Sequence, residues 1–285
     1  MTWPHQGEQK RDNMDSKAIG IFDSGVGGLT VLNEILKVLP HEHTAYLGDT
    51  ARIPYGTKSP VTVTRYARQI TSFLVKHDIK LLVVACNTAS AVSLGVLKSE
   101  FSIPIVGVIE PGARRAATVT KNGRVGVIGT EATIRSEAYV KAINGIDPNI
   151  AVITRACPLF VPLAEEGWVD NEVAVLTART YLKGFRKAEV DTMVLGCTHY
   201  PLLSGIISEV MGEGVTLVDS GQETARTIAE TLRSLGILRA STERGEHRYY
   251  VTDVPDDFTK VASRFLDDAL EDVQQVRLQD DRIRE

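Results

Sequence analysis

Cysteine is scarce in this chain, long apolar stretches are missing and like charges never cluster, and each absence removes a class of function. The three cysteines, Cys86, Cys157 and Cys197, are odd in number and widely spaced. A disulfide framework is therefore not expected, a reducing compartment fits, and the Cys-x-x-Cys pair of a dithiol redox protein is lacking. Nothing shows the paired spacing of metal ligands, so no metal is expected. No apolar run approaches the roughly 20 residues of a membrane span, and the polar N-terminus lacks the apolar centre of a secretion signal. A cytoplasmic location follows as the expectation. With 32 basic against 36 acidic residues and a net charge of -4, there is no footprint for nucleic acid or an anionic membrane. Gly25-Val26-Gly27-Gly28 lacks both the dinucleotide glycine spacing and the lysine of a triphosphate loop. Small-molecule chemistry is what remains.

What is present is a rhythm. Apolar runs at 18–22, 45–47, 81–85, 105–109, 125–128, 150–153, 193–195 and 215–218 alternate with helical periodicity, as in the amphipathic segment 60–77. Alternation of this kind predicts an α/β fold with parallel sheets wound by helices. The second half also overlays the first. Ile19-Gly20-Ile21-Phe22-Asp23-Ser24 matches Val125-Gly126-Val127-Ile128-Gly129-Thr130, Cys86-Asn87-Thr88 matches Cys197-Thr198-His199, and Ile109-Glu110-Pro111-Gly112 matches Val218-Asp219-Ser220-Gly221. The offsets, 106, 111 and 109 residues, are nearly constant. Two similar α/β domains related by a pseudo-two-fold axis are expected, with residues 18–110 and 219–285 in a discontinuous first domain and 111–218 in the second. Residues 1–17 are expected to be a flexible extension, its first 13 residues having no periodicity, and a start codon upstream of Met14 is one reading of it.

Ligands of open parallel sheets bind at the carboxyl ends of strands, where helix N-termini also point. Asp23, Ser24, Asp49, Cys86, Asn87, Thr130, Cys197 and Thr198 all fall at such ends, so the site is expected in the cleft between domains. A thiol at each of two matched positions suits one reaction in particular. The α-proton of an amino acid is a very weak acid, and a thiolate is a strong base available near neutral pH once a helix terminus or a positive charge lowers its ordinary pKa of about 8.5. If one thiolate removes the proton and a thiol on the other face returns one, configuration inverts. His199 could assist Cys197, and Asp23 could assist Cys86. Ser24, Asn87, Thr88 and Thr198 would offer donors to a carboxylate. Cys157 lacks a repeat partner and reads as a small buried hydrophobe.

The residues at this point resemble a known family, the cofactor-independent glutamate racemases of bacterial cell-wall synthesis within the aspartate/glutamate racemase superfamily. The resemblance runs from about Ile19 to about Thr231 and rests on six blocks. These are Phe22-Asp23-Ser24-Gly25-Val26-Gly27-Gly28-Leu29, Pro54-Tyr55-Gly56, Ala85-Cys86-Asn87-Thr88-Ala89, Pro158-Leu159-Phe160-Val161-Pro162-Leu163, Glu165-Glu166-Gly167 and Leu195-Gly196-Cys197-Thr198-His199-Tyr200-Pro201. It implies a two-domain fold with an interfacial site, an isomerase converting L-glutamate to D-glutamate for peptidoglycan and cell shape, and Cys86 and Cys197 as proton donor and acceptor. It further implies substrate contacts from Asp23, Ser24, Tyr55, Gly56, Asn87, Thr88, Thr198 and His199, with Thr130 and Thr133 beside them. An acidic residue of the pair Glu165 and Glu166 would support the second thiol, and the sequence leaves open which. No metal, flavin or pyridoxal phosphate is implied. A homodimer is, and some members with an N-terminal extension respond to a peptidoglycan precursor. Two other readings stand beside this one: a racemase for aspartate or another amino acid, and a protein that binds in the cleft without turnover.

Overall fold

The computed structural model describes residues 16–270 and 272–278. All but the last two residues of the expected extension lie outside this range. Strands β1 (Ala18–Asp23), β2 (Thr44–Gly48), β3 (Ile79–Val84) and β4 (Ile105–Gly107) pair in parallel in the order β2-β1-β3-β4. A second parallel sheet contains β5 (Arg124–Gly129), β6 (Ala151–Ala156), β7 (Thr192–Gly196) and β8 (Thr216–Asp219), in the order β6-β5-β7-β8. The two orders are the same pattern. The blocks matched in the sequence therefore fall on equivalent strands, β1 with β5, β3 with β7, and the ends of β4 and β8.

The inner strands of both sheets are covered on two faces, which is why they read as continuous apolar runs rather than alternating ones. Every residue of β2, β3 and β7 is buried. Alternation survives in the choice of core: Ile19, Ile21, Leu81 and Val83 enter one cluster, and Phe22, Leu82 and Val84 the opposite one. In the second sheet, Met193 and Leu195 face away from Val194 in the same way. Helices span the connections. The segment read as amphipathic forms the helix Pro60–Lys76, its Ser59 side chain capping the Thr62 N–H.

The first sheet is extended by strands that the apolar runs did not reveal. Here β9 (His247–Val251) pairs in parallel with β2, and β10 (Val273–Gln275) lies outside β9. Its abundance of charge predicts a solvated helix for the stretch 266–285, but within the described part an open strand edge gives Val273–Gln275 ladder partners instead, and Val273 packs on the core beneath. Among the described residues no helix is long and apolar enough to cross a membrane.

Candidate active site

In both sheets the strand order reverses direction beside the first strand, and crevices that bind ligands open at such points. The ends of β1 and β3 bring Ser24 and Cys86 to one wall of a cavity of about 290 Å³, and the ends of β5 and β7 bring Thr130 and Cys197 to the same cavity. Both sulfurs belong to nearly buried residues, at 5% and 6% exposure. All three cysteines are free.

The two thiols have different neighbours. Cys86 occupies the N-cap of the helix Asn87–Glu100, and its sulfur accepts the Ala89 N–H at 3.5 Å. Beneath it lies Asp23, fully buried, with Oδ2 accepting the Gly25 N–H at 3.0 Å and Oδ1 without a hydrogen-bond partner among the described residues. Cys197 is followed by a short 3-10 turn instead of a long helix. Its sulfur lies 3.8 Å from His199 Nδ1, and His199 Nε2 is 2.9 Å from Glu165 Oε1. The His199 ring packs edge-on against Phe265.

Burial is the largest influence on Cys86 and, helped by the Asp23 charge, pushes its thiol up to about 12 against the helix N-terminus and Ser24, which pull the other way. The lowered Cys86 thiol expected from the sequence is therefore corrected: desolvation outweighs the helix terminus. Burial also raises Asp23, opposed mainly by His199. For His199 burial works downward, yet the hydrogen bonds to Cys197 and Glu165 carry it up to about 10. At neutral pH the cavity therefore holds a neutral thiol over a buried carboxyl on one side. On the other, the Cys197 sulfur lies beside an imidazole whose proton the contacts to Cys197 and Glu165 help to hold. Such a pair can take a proton and give one from two directions.

A family model described as Asp/Glu/hydantoin racemase matches residues 19–228, most of the chain. The chain belongs to the Asp/Glu/hydantoin racemase family. Among its relatives, the glutamate racemase of Geobacter metallireducens is 68% identical over 93% of this chain and 98% of its own. The glutamate racemase of Francisella tularensis, solved in complex with D-glutamate, superposes with a TM-score of 0.87 at 37% identity, covering 93% of this chain and 98% of that one. That of Escherichia coli, solved with L-glutamate and the activator UDP-MurNAc-Ala, gives 0.75 at 32% identity over 92% and 99%. Within the family the chain groups with the glutamate racemases, which are isomerases, and shares their two parallel-sheet α/β domains.

Most of the residues singled out in the sequence meet at this racemase-type cavity. Ser24, Tyr55, Gly56, Cys86, Asn87, Thr88, Thr130, Cys197, Thr198 and His199 line it. Thr88, Thr130 and Thr133 form a triangle of hydroxyls at 2.9, 3.2 and 3.0 Å that joins the two halves, with Thr133 behind the other two. Asp23 and Glu165 stand behind the lining, and Glu166 points to solvent, because one residue along a helix turns the side chain by about 100°. Glu165, not Glu166, is the carboxylate beside His199. Gly27 carries no side chain for a local reason: a methyl there would overlap the His199 ring and Thr198 Oγ1. Thr30 fastens the same corner, its one hydroxyl proton shared between the carbonyls of Gly27 and Thr198, each at 2.9 Å.

Two contributors carry no assigned role in the sequence reading. Asp49 accepts the Tyr55 hydroxyl, both hydrogen-bond contacts of Arg52 Nε at 2.9 and 2.8 Å, and the Thr252 hydroxyl at 2.9 Å. Its place at the end of β2 was the available signal. Tyr139 donates to Asn87 Oδ1 at 2.7 Å, and nothing in the local pattern of its helix distinguishes it from core.

Proposed function

We propose that the protein interconverts L- and D-glutamate without a cofactor, in the cytoplasm, with Cys86 and Cys197 as the two proton-transfer groups. In each turnover one sulfur, as thiolate, takes the α-proton, and the electron pair left on the α-carbon spreads into the carboxylate. The other sulfur, as thiol, then gives its proton to the opposite face. The substrate keeps its composition and changes hand, and the two sulfurs have exchanged protonation states. His199, backed by Glu165, serves Cys197, while Asp23 serves Cys86. Ser24, Asn87, Thr88, Thr130 and Thr198 supply donors that hold the substrate and offset the charge that develops on its carboxylate. Tyr55 and Gly56 close the wall beside Thr130. Thr133 holds the Thr88 and Thr130 hydroxyls in place, and Glu166 takes no part.

The observation that carries this reading is the convergence of two buried cysteines, from equivalent strand ends of two like-ordered sheets, on one cavity of small-molecule size. Membership among glutamate racemases supports glutamate as the substrate. D-Glutamate for peptidoglycan is the product's proposed use, a homodimer the proposed assembly, and residues 18–110 with 219–285 against 111–218 the proposed domain division.

Incubation with L-glutamate in D2O, followed by circular dichroism and proton NMR, tests the reaction. Optical activity should decay to zero as deuterium enters the α-position. Cys86→Ala and Cys197→Ala should each lower racemisation by at least about a thousandfold, as loss of a proton-transfer partner predicts, with folding retained. Near-full turnover in either variant would overturn the two-thiol mechanism, and turnover confined to aspartate in an amino-acid panel would overturn the substrate. UDP-MurNAc-Ala, the activator in the Escherichia coli structure, is proposed to raise the rate here as well, which a titration reads directly.

A further inference from the structure

We propose that Tyr139 is a positioning residue for this reaction: its hydroxyl fixes the Asn87 carboxamide so that Nδ2, the donor end, is the end offered to the substrate. The inference rests on the cavity being the glutamate site. A carboxamide has two ends of nearly the same shape and opposite chemistry, and a half-turn about its terminal bond exchanges them. An amide presenting its oxygen would repel a carboxylate, whereas one presenting its nitrogen would bind it. Selecting between these ends requires a partner that distinguishes them.

Tyr139 is placed to bias that choice, because its buried hydroxyl proton needs an acceptor and a turned amide would meet it with an NH2 instead. Its hydroxyl donates to Asn87 Oδ1 at 2.7 Å, while Asn87 Nδ2 is buried without a hydrogen-bond partner among the described residues. Asn87 lines the cavity beside Cys86. Burial holds the Tyr139 phenol well above its ordinary range, so it keeps its proton throughout the working range of pH. The ring cannot swing away. It is 2% exposed, and a Cβ at Gly196 or Gly112 would come within 3.0 Å or 3.4 Å of its edges. Glu137, at φ 57° in the left-handed region, ends the preceding helical stretch and starts the helix Ala138–Ile146 that carries Tyr139.

The contact also has a direction across the molecule. Tyr139 belongs to the core beside the second sheet, and Asn87 opens the helix that follows β3 of the first. The donor end of Asn87 is thus set by the half of the protein that does not carry it.

A double-mutant cycle tests this, with kcat and KM measured for both glutamate enantiomers. Tyr139→Phe should lower kcat/KM about tenfold, the scale of one hydrogen bond lost. Asn87→Ala should lower it further, and Tyr139→Phe added to Asn87→Ala should cost nothing more. An equal loss from Tyr139→Phe in both backgrounds would show that the tyrosine acts through packing and would overturn the inference, as would no loss in the parent. Full activity in Asn87→Ala would instead overturn the substrate contact on which the inference stands. Independently of any variant's folding, the Asn87 side-chain NH2 resonances of the 15N-labelled parent should shift on addition of D-glutamate; resonances that stay in place would refute a donor role.

Discussion

Glu165→Gln tests the electrostatics of the site most sharply, because it removes a charge and leaves an amide oxygen that can still accept from His199. The contact to be weakened is the one at 2.9 Å between Glu165 Oε1 and His199 Nε2. Hydrogen bonds to charged groups contribute about 1.5–3 kcal/mol. The Glu165 side chain is 38% exposed, and screening reduces that to about 1–2 kcal/mol. Since about 1.4 kcal/mol corresponds to one pH unit, the loss of protonated His199, which lies at about 10 in the parent, should begin about one pH unit lower in the variant. If the imidazolium is the working form, the alkaline limb of kcat/KM moves with it. The enantiomers have equal free energy, so kcat/KM must fall by the same factor in both directions, although kcat and KM separately need not.

The assay is kcat/KM against pH for each enantiomer, between about pH 7 and 11, followed by circular dichroism. Glu166→Gln, altering an exposed neighbour on the same helix, should leave the profile unchanged. An alkaline limb that stays in place in Glu165→Gln, or that moves equally in Glu166→Gln, would refute the assignment. Stability should follow the same group. His199 is raised on folding from 6.5 to about 10, so its contribution is complete below about pH 6.5 and drains away as pH rises toward 10. Glu165→Gln should lessen that alkaline loss.

Two further substitutions probe the frame around the site. Gly27→Ala puts a methyl into the His199 ring and should cost about 1–3 kcal/mol of stability together with most of the activity, as thermal melts and rate assays would show; parent-like values in both would contradict the packing. Lys80→Met removes the partner of a fully buried ion pair, Lys80 Nζ to Glu42 Oε2 at 2.6 Å, and should cost about 3–5 kcal/mol in urea unfolding; adding Glu42→Leu should recover most of it, and failure to recover would show that the pair is not the cause.

The parts legible in the sequence share a physical reason. Strands covered on both faces must be apolar throughout, and the apolar runs accordingly fall on β1 to β3 and β5 to β8, within a few residues of their boundaries, while the remaining run, 105–109, passes from β4 into the helix Ile109–Val119. The duplication was readable because equivalent strands repeat the same burial. His247-Arg248-Tyr249-Tyr250-Val251 was not readable: β9 is short, begins with polar residues and becomes a strand because β2 offers it an edge. The lining side chains stand at strand ends, where position alone marks them. Tyr139 acts on Asn87 across 52 residues of chain, Asp49 ties nearby Arg52 and Tyr55 to the distant Thr252, and the choice of Glu165 over Glu166 is a matter of helical phase, which a two-residue pair does not disclose.

The placement of β9 bears on how the protein is made. Thr44 on β2 meets His247 on β9 across 203 residues of chain, whereas the second sheet is assembled wholly from residues between Arg124 and Asp219. During synthesis, the later-encoded sheet has all its strands while the earlier one still waits, its β2 edge uncovered until β9 leaves the ribosome. Such delayed, long-range pairing is slow and leaves a template for wrong partners. The pairing of β9 with β2 is therefore the vulnerable step of biogenesis, and truncations that remove β9 should surface as poor yield in the cell before they surface as altered catalysis.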